Sequence, residues 1–154
     1  MKVGIIVHSY TGNTLSVAEK IKEELTKSGH TVNLEQVKAV DENPNSAKPV
    51  ELDVIPDTAG YDALIFGAPV RGFSLSPVMK KYLSQISSLE GKTVCCYVTE
   101  GFPKPWMGGN HSVKKMVDLC TVKNGKPART GVVNWPEKRR EFLTNNLITS
   151  FTSI

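Results

Sequence analysis

The chain has 154 residues, 40% of them hydrophobic and 22% charged, a share ordinary for a globular protein, so one domain spanning residues 1–154 around one sizeable core is expected. Nineteen Lys and Arg against fifteen Asp and Glu give a formal net charge of +4, a modest excess that favours acidic partners or anionic small molecules. The basic residues are scattered in small knots such as Lys80-Lys81 and Lys114-Lys115, with no aromatic stacking platform, which argues against nucleic-acid binding. No apolar stretch reaches the length of a membrane span, and Met1-Lys2-Val3-Gly4 leads into a strand without a signal-peptide pattern, so a cytoplasmic protein with no membrane insertion is expected. Of the three cysteines, Cys95 and Cys96 are adjacent in a predicted strand and point to opposite faces, which suggests neither a disulfide framework nor a metal site.

In chain order, Val3 to Val7 is a short β-branched run of the kind buried on both faces of a parallel sheet. The loop His8 to Asn13 follows, and from Thr14 the residues Val17, Ala18, Ile21 and Leu25 fall at helical spacing up to the stop at Gly29. Thr31 to Gln36 alternates like a partly exposed strand. Residues 37–57 contain Pro44, Pro49 and Pro56, so an irregular crossover is expected there, with a short extended piece such as Val50 to Ile55 covering the sheet. Ala63 to Gly67 is the third strand, and Ser76-Pro77 opens a helix whose buried stripe is Val78, Met79, Tyr82, Leu83 and Ile86. Thr93 to Thr99 is the fourth strand, followed by a long loop, Glu100 to Gly109, and a short helix from Asn110 to Thr121. After a turn at Lys123 to Lys126, Thr130 to Val133 gives a brief fifth strand. Asn134-Trp135-Pro136-Glu137 has the pattern of a capping box that starts a last helix with Leu143, Leu147 and Phe151 inward.

Strands alternating with helices imply a doubly wound α/β fold, in which ligands bind beyond the carboxyl ends of the strands at the topological switch point. The loops at those ends are Ser9 to Thr14, Ala68 to Ser74 and Glu100 to Gly109. The first is the informative one. A strand feeding a helix through Ser9, Thr11, Gly12, Asn13 and Thr14 offers free backbone N–H groups, the positive end of a helix dipole and side-chain donors, the ingredients of a phosphate site. It lacks both the lysine of G-x-x-x-x-G-K-[ST] and the G-x-G-x-x-G fingerprint, so a triphosphate or a dinucleotide is disfavoured and a terminal phosphate monoester remains.

Ser9-Tyr10-Thr11-Gly12-Asn13-Thr14 resembles the T/S-x-T-G-N-T phosphate loop of the flavodoxin family, at the family's position between first strand and first helix. Phe66-Gly67-Ala68-Pro69-Val70-Arg71-Gly72 is similar to the G-[ST]-P-V-x-x-G segment of flavodoxin-like reductases of the quinone-reductase type. The resemblance implies a five-stranded parallel sheet of order 2-1-3-4-5 with helices on both faces, and FMN as cofactor. Ser9, Tyr10, Thr11, Gly12, Asn13 and Thr14 would surround the phosphate. Pro69, Val70, Arg71, Gly72 and Phe73 would line one side of the flavin ring, and Thr99, Glu100, Gly101 and Phe102 the other. Phe73, Phe102 and Trp106 are candidate stacking aromatics. Carrier flavodoxins are typically acidic, whereas this chain is basic. Arg71 near the ring would favour the reduced, negatively charged flavin and two-electron chemistry; the alternative is that Arg71 faces solvent.

Three functions stay open: an FMN-binding electron-transfer protein that docks to a redox partner protein, an FMN-dependent NAD(P)H oxidoreductase acting on a small acceptor such as a quinone, and a flavodoxin-like module that binds no flavin. No catalytic side chain is assigned, because the cofactor carries the redox chemistry. His8 has no acidic partner identifiable from sequence and reads as structural.

Overall fold

The computed structural model describes every residue except 103, 105, 137 and 139. Strand β1 (Lys2–Val7) buries Val3, Ile5, Ile6 and Val7 completely and runs through Gly12 into helix α1 (Asn13–Lys27). Gly29, at φ 93°, ends the helix: its N–H bonds to Thr26 and that of His30 to Leu25, the paired closure of a Schellman motif. Strand β2 (Thr31–Gln36) returns parallel to β1.

The Pro-rich crossover holds two short strands, β3 (Lys38–Ala39) and β4 (Leu52–Val54), paired antiparallel as a separate small sheet. Strand β5 (Ala63–Arg71) lies on the other side of β1 and continues past the expected end at Gly67, because β6 (Ser74–Leu75) folds back and pairs with Val70 and Arg71. Helix α2 (Pro77–Gln85) starts as the Ser76-Pro77 pair predicts, with the Ser76 hydroxyl accepting from the Met79 N–H. Strand β7 (Thr93–Glu100), helix α3 (Gly109–Val122), strand β8 (Lys126–Asn134) and helix α4 (Arg140–Phe151) complete the chain.

The main sheet runs β2-β1-β5-β7-β8, all parallel, which is the 2-1-3-4-5 order of a doubly wound fold once the short strands are set aside. Alternation along each strand sends Val3, Ile5, Ile65, Cys95 and Tyr97 to the face covered by α1 and α4. Ile6, Leu64, Phe66, Cys96 and Val98 go to the face covered by α2 and α3. The three cysteines are free and buried. Among the described residues, no helix is long and apolar enough to cross a membrane, and no group of three or more His, Cys, Asp or Glu could hold a metal ion.

Two expectations are corrected. Strand β8 begins at Lys126 rather than Thr130; its first five residues, on the edge of the sheet, are exposed and include no large hydrophobic side chain, so hydrophobic pattern carried no signal for them. Helix α4 begins at Arg140 rather than just after Asn134, whose side chain is drawn into the sheet end as described below; Glu137 of the expected capping box lies outside the described residues.

Candidate functional site

The carboxyl ends of β1, β5 and β7 converge on a cavity of about 210 Å³. Its wall combines Tyr10, Thr11, Asn13 and Thr14 with Pro69, Val70 and Arg71, and with Thr99, Glu100 and Gly101. Residues from all three loops singled out in the sequence are therefore brought together. Ser9 and Gly12 support the wall rather than line it. The Ser9 hydroxyl accepts from the Gly12 N–H at 3.1 Å and more weakly from the Leu15 N–H at 3.4 Å, while Gly12, at φ 93°, makes the left-handed turn into α1. Among the described residues the N–H groups of Thr11, Asn13 and Thr14 find no protein acceptor, and no acidic side chain occupies the first turn of α1. Three open donors at the positive end of a helix dipole, beside a cavity, suit an anion.

Thr14 itself is buried, and its hydroxyl bonds to that of Thr99 at 2.8 Å, tying the first loop to the third. Tyr97 reinforces the joint from below: its hydroxyl donates to the Thr14 carbonyl at 2.7 Å. Burial pushes the Tyr97 phenol far up, so it stays a neutral donor.

Arg71 is half-buried against the cavity, with its guanidinium 5.3 Å from the centre of the Tyr10 ring, so it does not simply face solvent. Gly72 and Phe73 form the turn between β5 and β6, both with positive φ, 55° and 64°. This turn carries the Phe73 ring to Phe102, on which it stacks with centroids 4.4 Å apart and planes 8° from parallel. A third ring cannot enter at that spacing. Phe73 remains 54% exposed, and Trp106 stands 73% exposed away from the cavity wall.

Glu100 ends β7 inside the protein, only 3% exposed. One carboxylate oxygen, Oε1, accepts from the Asn134 side-chain amide of β8, which also donates to the Phe102 carbonyl. The start of α3 packs so closely that a Cβ at Gly109 would lie 2.7 Å from Oε1. The other oxygen, Oε2, is buried with no hydrogen-bond partner. Burial raises the Glu100 carboxyl above its ordinary value, opposed by the hydrogen bonds from Asn134 and the Gly109 backbone. The folded protein therefore holds this proton over a window extending upward from the ordinary carboxylate value, and stability falls as pH rises through that window. Glu100→Gln is expected to gain stability relative to the parent between pH 4 and pH 8 in urea melts; a difference that does not change with pH would count against a buried, proton-retaining Glu100.

A second group of polar residues was not legible from the sequence. His8 is 1% exposed, its Nδ1 lies 2.7 Å from Ser76 Oγ, and its Nε2 lies 3.0 Å from Glu42 Oε2. Glu42 comes from the irregular crossover and is anchored there by accepting from the Ala39 N–H. His8 thus has the acidic partner that no local pattern could reveal across 34 residues. Burial lowers the His8 value, and the Glu42 carboxylate offsets only part of that shift. At the cavity end the Tyr10 ring meets the His8 ring edge-on with centroids 4.4 Å apart, and burial raises the Tyr10 phenol, with nearby Ser76 and the charge of Arg71 opposing. Ser76, His8 and Glu42 form a hydrogen-bonded chain that reaches the surface at Glu42, with the Tyr10 ring packed edge-on against His8 on the cavity side. Its physical role in the fold is plain: it pins the crossover to the carboxyl end of β1.

The family model for the flavodoxin domain matches residues 4–126. The NAD(P)H dehydrogenase (quinone) of Archaeoglobus fulgidus is 26% identical over 120 residues, covering 66% of this chain and 63% of that protein. The match therefore spans less than two thirds of that relative. Among solved structures, oxidised flavodoxin 2 from Bacillus cereus superposes with a TM-score of 0.70 at 19% identity over 99% of both chains. A flavoprotein from Lactobacillus acidophilus in complex with FMN superposes with a TM-score of 0.63 at 20% identity, covering 85% of this chain and 92% of that one. With the strand order, the phosphate-type loop and the family match in agreement, this chain belongs to the flavodoxin domain family.

Proposed function

We propose that this protein is an FMN-binding electron-transfer protein, acting as a single domain over residues 1–154 and working in the cytoplasm. The observation that carries the reading is the row of unpaired N–H groups at Thr11, Asn13 and Thr14 on the wall of the cavity where three strand ends meet. The phosphate end fits directly: the first loop supplies backbone donors, the Thr11 and Asn13 side chains and the α1 dipole, with no competing carboxylate in the first helical turn. The ring end fits between Pro69, Val70 and Arg71 on one side and Thr99, Glu100 and Gly101 on the other. The 210 Å³ present is small for a whole flavin, and Gly72, Phe73 and Phe102 are not on its wall, so the ring would extend past the cavity or the two facing loops would part around it.

Bound FMN supplies reversible electron transfer at its ring. The chain's residues then hold the phosphate, orient the ring through the two facing loops and exclude water on the Glu100 side. Arg71 places a positive charge on the cavity wall, where it stabilises an anionic ligand. A redox partner protein or a small acceptor would complete the reaction. The relative named as an NAD(P)H dehydrogenase (quinone) favours a second reading, an FMN-dependent NAD(P)H oxidoreductase acting on a quinone.

Purified protein incubated with FMN is expected to retain one flavin per chain, with quenched fluorescence and a shifted absorption band. Colourless protein after desalting would overturn the reading in favour of a module that does not take flavin. Anaerobic reductive titration then counts one-electron against two-electron behaviour. Turnover of NADPH or NADH with a quinone separates oxidoreductase from carrier.

A further inference from the structure

A second cavity, of about 380 Å³, lies between β6, α2 and α3 and shares Arg71 with the cavity described above. Arg71 and Ser74 form its floor, Lys80 of α2 stands on one side, and His111 and Lys115 of α3 on the other. No carboxylate lines it. Among the described residues, neither Arg71, Lys80, His111 nor Lys115 is in an ion pair. Elsewhere on the helices Lys27 pairs with Glu23 and Glu24 and Lys114 with Asp118, while among the described residues Lys20, Lys22 and Lys81 are unpaired but exposed and line no cavity with other cations. Helix α3 thus divides its two adjacent lysines, Lys114 paired on the outer face and Lys115, half-buried, turned to the cavity without a counter-charge.

Three positive charges gathered around one concave site repel each other, and no carboxylate on its wall offsets them; the Tyr10 ring beside Arg71 and the solvent at Lys80 are their other surroundings. A concave wall of one sign also concentrates anions at its mouth. The donors are varied: a guanidinium fork that matches carboxylate or phosphate, two ammonium point charges, an imidazole and a hydroxyl. We infer that this cavity binds the anionic end of a small molecule carrying two or more phosphate or carboxylate groups. Its volume is that of a small-molecule site rather than of a single counter-ion. Because Arg71 belongs to both cavities, the molecule anchored here abuts the proposed cofactor site. That it gives electrons to a flavin or takes them rests on the functional reading above; the anion binding does not.

The test is calorimetric titration at constant ionic strength with two probes, 2′,5′-ADP for the phosphate class and citrate for the carboxylate class. Each is titrated into protein without flavin and into protein loaded with FMN. At least one is expected to bind at a single site with a Kd of roughly 0.1 mM. The double variant Lys80→Gln with Lys115→Gln is expected to weaken it about tenfold or more. Lys20→Gln with Lys22→Gln, which removes the same charge from α1, is expected to change it less than about twofold. All four lysines are on helix surfaces, so both variants should fold. Binding of neither probe, or equal weakening by the two double variants, would overturn the proposal. FMN titration keeps the two readings apart: a protein that takes a polyanion but no FMN supports this site and overturns the flavin reading. One that takes FMN but neither probe overturns this site alone.

Discussion

Gly67→Ala is expected to lower the unfolding free energy by about 3 kcal/mol, the upper part of the range for forcing a group into a packed core. Gly67 sits in the middle of β5 between β1 and β7, and a Cβ there would lie 2.3 Å from the Tyr97 ring. Neither partner can yield easily. Gly67 is held by parallel ladders on both sides, and Tyr97 is fully buried with Phe151 against its ring and its hydroxyl on the Thr14 carbonyl. The damage therefore travels: displacing Tyr97 pulls at the first turn of α1, where the Thr14–Thr99 bond joins two loops of the site. A chain of this length should lose roughly 10 °C of thermal midpoint for such a change. Tyr97→Phe, which keeps the ring and removes only the hydroxyl, should cost about 1 kcal/mol. Scanning calorimetry checks both. A Gly67→Ala midpoint within a degree or two of the parent would mean that Tyr97 has room to move and that the coupling from sheet to loop is weak.

Thr11→Ala combined with Asn13→Ala should weaken FMN by at least about 100-fold and riboflavin by less than about threefold. Side-chain hydrogen bonds to a charged group are worth roughly 1.5–3 kcal/mol each, and the two removed here face the cavity from the phosphate loop. The loss stops short of abolition, because the backbone N–H groups of Thr11, Asn13 and Thr14 and the dipole of α1 are unchanged by the substitutions. Both side chains lie at the rim rather than in the core, so the fold should be intact. Fluorescence titration with the two flavins reads the ratio directly. Equal losses for FMN and riboflavin would move the phosphate away from this loop.

The phosphate loop was legible because its signals are local, and the sheet order followed from the family resemblance that the loop carries. Strand β1, Gly12 and the stripe of α1 lie within 27 residues, and every donor of the loop is contributed by consecutive residues. The same holds for Ser76-Pro77 at the start of α2 and Gly29 at the end of α1, where a cap is a matter of one side chain or one φ angle. The first half of β8 was hidden because its exposed edge residues include no large hydrophobic side chain, and an edge strand with an open face needs no apolar alternation. Asn134 read as a helix cap but is engaged instead by Glu100, a partner 34 residues away.

Local periodicity and turn chemistry were thus enough to read five strands, four or five helical stretches and a loop rich in N–H donors, though not the starts of β8 and α4, because each signal comes from residues close in the chain. Tertiary structure alone decided what surrounds that loop. It buried Glu100 with one oxygen unpaired, gave His8 its Glu42 and Ser76 partners, stacked Phe73 on Phe102 and gathered Arg71, Lys80, His111 and Lys115 around one cavity. Charge pairing and burial depend on distances through space. Residues far apart in sequence acquire those distances only when α2 and α3 pack on one face of the sheet and the crossover closes against the carboxyl end of its first strand.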